Sequence, residues 1–149
     1  MKTAWHYTTG EKANLIFKSG ELQPTAAYIE EREKPILWFS INQEWEQTAN
    51  KMVQLPNGAF RPLTMEETRK LGGGLFRFGM PAHQLVAWPR LARLANMRSN
   101  ISRLLEEAGL RAGADFREWF GSLDAVPIAG LHCQTMTESG WVDFTTGGR

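Results

Sequence analysis

The chain has 149 residues, 42% of them hydrophobic, with 17 basic and 16 acidic side chains and a formal net charge of +1. That length suits one compact domain around a single core, and the balanced charge excludes the uniform basic footprint of a dedicated nucleic-acid binder while leaving room for a local basic groove. Cys133 is the single cysteine, which excludes an internal disulfide and points to a reducing, cytoplasmic compartment; with no apolar run of about 18 residues and no signal peptide, no membrane contact is expected.

Residues 3–8 alternate enough for a short strand. Thr8-Thr9-Gly10-Glu11 then fits a capping box, a threonine oxygen at the N-cap and a glutamate three positions on, and predicts a helix with Ala13, Leu15 and Ile16 on its apolar side. Ser19-Gly20 ends it, glycine tolerating the left-handed C-cap conformation. Residues 23–34 are polar and read as a surface connection. Pro35 introduces Ile36-Leu37-Trp38-Phe39-Ser40, an apolar run of strand length.

Residues 42–53 predict a short helix or lid. Between 54 and 74, Pro56, Gly58, Pro62 and Gly72-Gly73-Gly74 favour loop, with one or two helical turns over 64–71 and a flexible hinge at the three glycines. Aromatic content makes 75–80 a strand closed by Pro81. Pro89 splits the helical spacing of 82–95 into two short helices, and Ser99-Asn100-Ile101 caps a further helix whose stripe is Ile101, Leu104, Leu105, Ala108 and Leu110. From Glu118 to Phe144 the pattern is β: Trp119-Phe120, then Val126 to Met136, then Trp141 to Phe144 beyond a hairpin turn at Glu138-Ser139-Gly140.

Six tryptophans, Trp5, Trp38, Trp45, Trp88, Trp119 and Trp141, are spread through the whole chain and suit the walls of a core or a cleft. His6, His83, His132 and Cys133 lack the paired short spacings of zinc sites. No nucleophile elbow surrounds a serine, and Cys133 sits inside a strand as a buried structural thiol. The three glycines precede a strand, whereas phosphate-binding glycine loops precede a helix.

What remains is the order His6-Tyr7-Thr8 on a first strand, a capped helix ending at Ser19-Gly20, and an apolar strand closing on Trp38-Phe39-Ser40. This order resembles the ADP-ribosyltransferase fold. The resemblance implies one α+β domain over residues 1–149, with a split, mostly antiparallel sheet and flanking helices. It implies NAD as substrate, transfer of ADP-ribose to a macromolecular acceptor (protein or nucleic acid) or hydrolysis of NAD, His6 on the ribose, and Ser40 supporting the nicotinamide pocket with Tyr7, Thr8, Trp38 and Phe39 as neighbours. Where many members stack a tyrosine on nicotinamide, this chain has Trp38 and Phe39, and Tyr28 lies in the preceding connection.

The family also carries a glutamate before a late strand and a Val-Pro-Ile-like segment. Glu118-Trp119-Phe120 followed by Val126-Pro127-Ile128 matches that order, which makes Glu118 the expected catalytic carboxylate, with Glu138, Glu44 and Glu46 as substitutes. Breaking the nicotinamide–ribose bond builds positive charge on the ribose, and a carboxylate stabilises it. Arg77, between Phe76 and Phe78, is a candidate bidentate donor to a pyrophosphate. The rival expectation is a non-catalytic nucleotide- or protein-binding module on the same fold.

Overall fold

The computed structural model describes residues 2–25 and 32–145. Tyr28 and part of the expected 23–34 connection lie outside the described residues. The chain begins with β1 (Thr3–Thr9) and α1 (Gly10–Ser19), which ends on Gly20 in the left-handed conformation (φ 80°). Then come β2 (Glu21–Leu22), β3 (Leu37–Ser40), a hairpin of β4 (Met52–Gln54) and β5 (Phe60–Pro62), α2 (Met65–Gly72) and β6 (Leu75–Pro81). The second half supplies β7 (Val86–Ala87), α3 (Arg90–Leu94), α4 (Ser99–Arg111), β8 (Trp119–Ser122), β9 (Val126–Pro127), β10 (His132–Thr137) and β11 (Gly140–Asp143). The domain is therefore α+β.

Its main sheet runs β11-β10-β6-β1-β3-β8-β7, and every pairing among the described residues is antiparallel. β1 pairs with β6 along its whole length, from Thr3↔Pro81 to Thr9↔Leu75, but meets β3 only at Trp5↔Ser40. The sheet is thus two half-sheets, β11-β10-β6-β1 and β3-β8-β7, joined at one point. Beyond that point a side chain takes over from the ladder: His6 Nδ1 lies 2.7 Å from the carbonyl oxygen of Trp38.

Alternation along β1 serves two different faces, because residues two apart share a face and directly paired residues share it too. Ala4 joins Leu22, Leu37, Phe39, Phe78 and Ala82 in one cluster, against which Ile16 and Phe17 of α1 pack. Trp5 and Tyr7 join Trp45 and Leu75 on the other face, with Trp141 and Met136 beside them. A third cluster, Ile36, Trp88, Leu91, Ala92, Ala95 and Trp119, fills the far end beneath α3, with Leu105 of α4 packed on it. Glycine makes two of these approaches possible: a Cβ at Gly79 would stand 2.6 Å from the Trp5 ring, and one at Gly109 2.7 Å from the Trp119 ring.

Several local expectations change. The N-cap of α1 is Thr9, one residue later than the expected Thr8, and no side chain caps it. The capping box in this chain belongs to α2, where Thr64 and Glu67 exchange hydrogen bonds. Residues 42–53 form one 3-10 turn at Gln47–Ala49 and then most of β4, and the loop expected over 54–74 contains the turn and second strand of the β4–β5 hairpin. Gly72-Gly73-Gly74 is a packed crossing where a hinge was expected: Gly74 accepts the Gly10 amide at 3.0 Å, and a Cβ on Gly10 would stand 2.1 Å from the Gly73 oxygen. The helix expected at 82–88 is a 3-10 turn followed by β7. The expected strand from Val126 to Met136 is two strands in different sheets, because β9 pairs with β2.

Candidate functional site

Where the half-sheets part, the molecule has a cavity of about 320 Å³ lined by His6, Tyr7, Trp38, Phe39, Thr48, Ala49, Leu105 and Trp119. That size lies within the range of small-ligand sites, which are mostly apolar with a few placed polar groups. His6, Tyr7, Thr48 and Ala49 also line an adjoining trough of about 680 Å³, whose wall adds Thr8, Thr9, Lys12, Ser19, Glu21, Asn50 and Lys51. An aromatic-walled compartment therefore opens into a more polar one, whose wall also carries Leu15 and Ile16, and His6 stands at their junction.

His6 is half-buried, and its ring meets Phe39 edge-on at 5.8 Å between centroids. Burial pushes its pKa below the ordinary 6.5, outweighing the carbonyl bond from Trp38, and the charge of Lys12 adds to the lowering. The ring is therefore neutral at pH 7. A neutral imidazole facing a carbonyl carries its proton on Nδ1, which leaves Nε2 as an acceptor with no partner among the described residues.

Tyr7 is buried, and its hydroxyl donates to the Asn42 carbonyl and accepts from Arg77 Nη1 at 3.2 Å. Burial pushes its phenol up to about 12, so it stays protonated at any physiological pH. Its ring lies edge-on to Trp45 at 5.2 Å.

Trp38, Trp88 and Trp119 form a mutual cluster with centroids 5.4 to 5.9 Å apart. Two carboxylates hold two of these indoles: Trp88 Nε1 donates to Glu106 at 2.7 Å, and Trp119 Nε1 to Glu46 Oε2 at 3.3 Å. Glu46 Oε2 also accepts from the Thr48 amide at 3.2 Å and the Thr48 hydroxyl at 2.6 Å. Glu46 is 7% exposed, and its other oxygen, Oε1, is buried with no partner among the described residues. A carboxylate with one oxygen saturated and the other unpaired stands directly behind the cavity wall formed by Thr48 and Trp119.

The remaining residues singled out in the sequence separate. Trp38 and Phe39 line the cavity, and Thr8 lines the trough. Ser40 is 1% exposed and accepts the Asn42 amide at 3.1 Å, so it shapes the turn after β3 and lines neither compartment. Glu118 ends a 3-10 turn before β8; its carboxylate accepts from Asn42 Nδ2 at 3.3 Å and lines neither compartment. Glu44 is exposed, and Glu138 lies in the exposed β10–β11 turn, two strands away from β1.

Arg77 lies outside both compartments. Its guanidinium is sandwiched between Trp5 (3.9 Å) and Trp141 (4.5 Å) and donates to Gln134, Tyr7 and the Gln43 carbonyl. It is a buried structural cation whose donors are engaged, which leaves little for a pyrophosphate. Cys133 is half-buried on β10, and burial pushes its thiol up to about 11, far from the thiolate a nucleophile needs.

Among the described residues no cluster of three or more His, Cys, Asp or Glu side chains is placed to hold a metal ion, and no helix is long and apolar enough to cross a membrane. Compared with models of protein families, with curated proteins and with solved structures, the chain matches none.

Proposed function

We propose that the cavity and trough bind NAD and that the protein transfers ADP-ribose from it to a macromolecular acceptor, or to water. The observation that carries this reading is the bipartite cleft at the fork of the sheet, aromatic on one side, more polar on the other, with a neutral histidine between. A dinucleotide has the same division: a flat nicotinamide suits the aromatic compartment, and ribose and phosphates suit the polar one.

In this reading His6 Nε2 accepts a hydrogen bond from a ribose hydroxyl and fixes the sugar at the junction, which supplies the positioning part of catalysis. Trp38, Phe39 and Trp119 exclude water from the nicotinamide. As the nicotinamide–ribose bond breaks, positive charge develops on the ribose, and the buried carboxylate of Glu46 stabilises it across a low-dielectric wall. Glu46 takes this role over Glu118 because its hydrogen-bond partners, Thr48 and Trp119, line the cavity, whereas the carboxylate of Glu118 is bonded to Asn42.

A second reading keeps the ligand and drops the chemistry: a nucleotide-binding module without turnover. It is favoured by the lining of the aromatic cavity, which holds no carboxylate among the described residues. Tryptophan fluorescence on addition of NAD measures binding, and nicotinamide release measures turnover. Quenching with release supports the transferase reading; quenching alone supports the module.

A further inference from the structure

The aromatic cavity has an electrostatic sign. Tyr7, Trp38, Phe39 and Trp119 line it, and among the described residues no lysine or arginine does. Aromatic rings carry negative charge on their faces and attract cations, tryptophan most strongly. The two lining indoles, Trp38 and Trp119, stand 5.9 Å apart and meet at 79°.

Two carboxylates add to that sign from behind. Trp119 Nε1 donates to Glu46 and Trp88 Nε1 to Glu106, and Trp88 lies tilted against Trp38 at 5.7 Å. Each lining indole is therefore backed by a carboxylate, Trp119 directly and Trp38 through Trp88. An ionised acceptor polarises the N–H that donates to it and enriches the ring in electrons. Glu46 is also felt at the opposite wall: burial raises the Tyr7 phenol, and the charge of Glu46 adds to the rise.

The cations that act on the lining stand outside it. Arg77 reaches the Tyr7 hydroxyl from between Trp5 and Trp141, and Lys12 lines the trough. The tryptophan side of the cavity is thus its negative side.

We infer that the cavity is an aromatic cage for a flat organic cation of the pyridinium class, and that it discriminates this cation from an uncharged ring of the same shape. A cation gains from the electron-rich indoles and from the carboxylates behind them, whereas a neutral ring gains contact area alone. The inference rests on the NAD reading for the rest of the ligand, since the nicotinamide of NAD is such a pyridinium, but the charge preference stands on the residues of the cavity. It also favours product release. When the nicotinamide–ribose bond breaks, its electron pair stays on the ring nitrogen and the positive charge passes to the ribose, so the departing ring is neutral and loses the attraction that held it.

The test is calorimetric titration of the intact chain with 1-methylnicotinamide, a pyridinium, and with 3-methylbenzamide, its uncharged isostere. The cation binds about tenfold more tightly. Glu46→Gln and Glu106→Gln each reduce that ratio severalfold. Glu107→Gln removes an exposed carboxylate from the helix that carries Glu106 and leaves the ratio unchanged. A variant that folds poorly loses affinity for both compounds alike, so the ratio reads the cage separately from the fold. Equal affinity for the two compounds, tighter binding of 3-methylbenzamide, or no binding of either at millimolar concentration overturns the inference. So does a ratio that Glu46→Gln and Glu106→Gln leave intact, or one that Glu107→Gln lowers as much as they do. Preference for the cation with neither binding nor turnover of NAD leaves the cage standing and removes only the NAD reading.

Discussion

Trp119 and Glu46, 73 residues apart in the chain, share a hydrogen bond of 3.3 Å at the back of the aromatic cavity. The indole forms the wall and the carboxylate holds its Nε1, so this contact links the cavity wall to the charge behind it. Glu46→Gln keeps the size of the side chain and removes the charge. We expect it to lower NAD turnover by at least about a hundredfold, with a fold recognisable by circular dichroism, while Glu118→Gln keeps most of the wild-type rate. The reverse ranking would return the role to Glu118.

Gly109 sets how closely α4 lies over that wall. A Cβ there would stand 2.7 Å from the Trp119 ring, so Gly109→Ala must move the helix or the indole. Overpacking of this kind costs about 1–3 kcal/mol. Chemical denaturation should show that loss, and the variant should also bind NAD more weakly because Leu105, on the same helix, lines the cavity.

Arg77 gives a prediction of the opposite kind. Its stacking between Trp5 and Trp141 and its bonds to Gln134, Tyr7 and Gln43 make it a structural residue. Lysine cannot reproduce the planar fork. Arg77→Lys should cost roughly 2–4 kcal/mol of stability, yet any folded fraction at low temperature should still bind NAD. Selective loss of NAD affinity at unchanged stability would restore Arg77 as a phosphate ligand.

His6 links the site to pH. Its folded-state pKa lies below the ordinary 6.5 because burial disfavours the imidazolium. On acidification the unfolded chain takes up a proton first, so the stability contributed by neutral His6 is complete above the ordinary value and is lost as pH falls towards the folded value. The melting temperature of the wild type should therefore drop more steeply from about pH 7 to pH 5 than that of His6→Gln. Equal slopes would show that His6 carries no such linkage.

Local signals in the sequence carried much of the fold. The His6-Tyr7-Thr8 strand, the Gly20 helix end, the Leu37–Ser40 strand and the turn at Glu138-Ser139 all follow from periodicity and turn chemistry within a few residues. The start of α1 was missed by one residue because Thr8 and Thr9 are both competent caps, and tertiary contact with Gly74 decides between them. The β4–β5 hairpin was obscured by Pro56, Gly58 and Pro62, which signal turn and also end its short strands.

Of the residues singled out in the sequence, His6, Trp38 and Phe39 lie on strands expected there, and the structure brings all three to one cavity wall. The site was not legible in its carboxylate. Glu46 sits among Glu44, Gln47 and Thr48 in a polar stretch that reads as surface, yet it is buried and hydrogen-bonded to Trp119 of a distant strand. Arg77 likewise reads as an edge arginine until Trp5 and Trp141 close on it from other strands. Pairings across 60 residues or more leave no trace in local spacing. The one available signal was chemical: Trp-Glu-Gln-Thr after a strand end offers a carboxylate and a hydroxyl two residues apart, and here they bond to each other.

The most direct test of the account is nicotinamide release from NAD by the purified chain, followed over time beside tryptophan fluorescence. The account predicts saturable quenching and release that is linear in protein concentration, both lost in His6→Ala. Neither quenching nor release at millimolar NAD would contradict it and would leave the cleft to a different ligand.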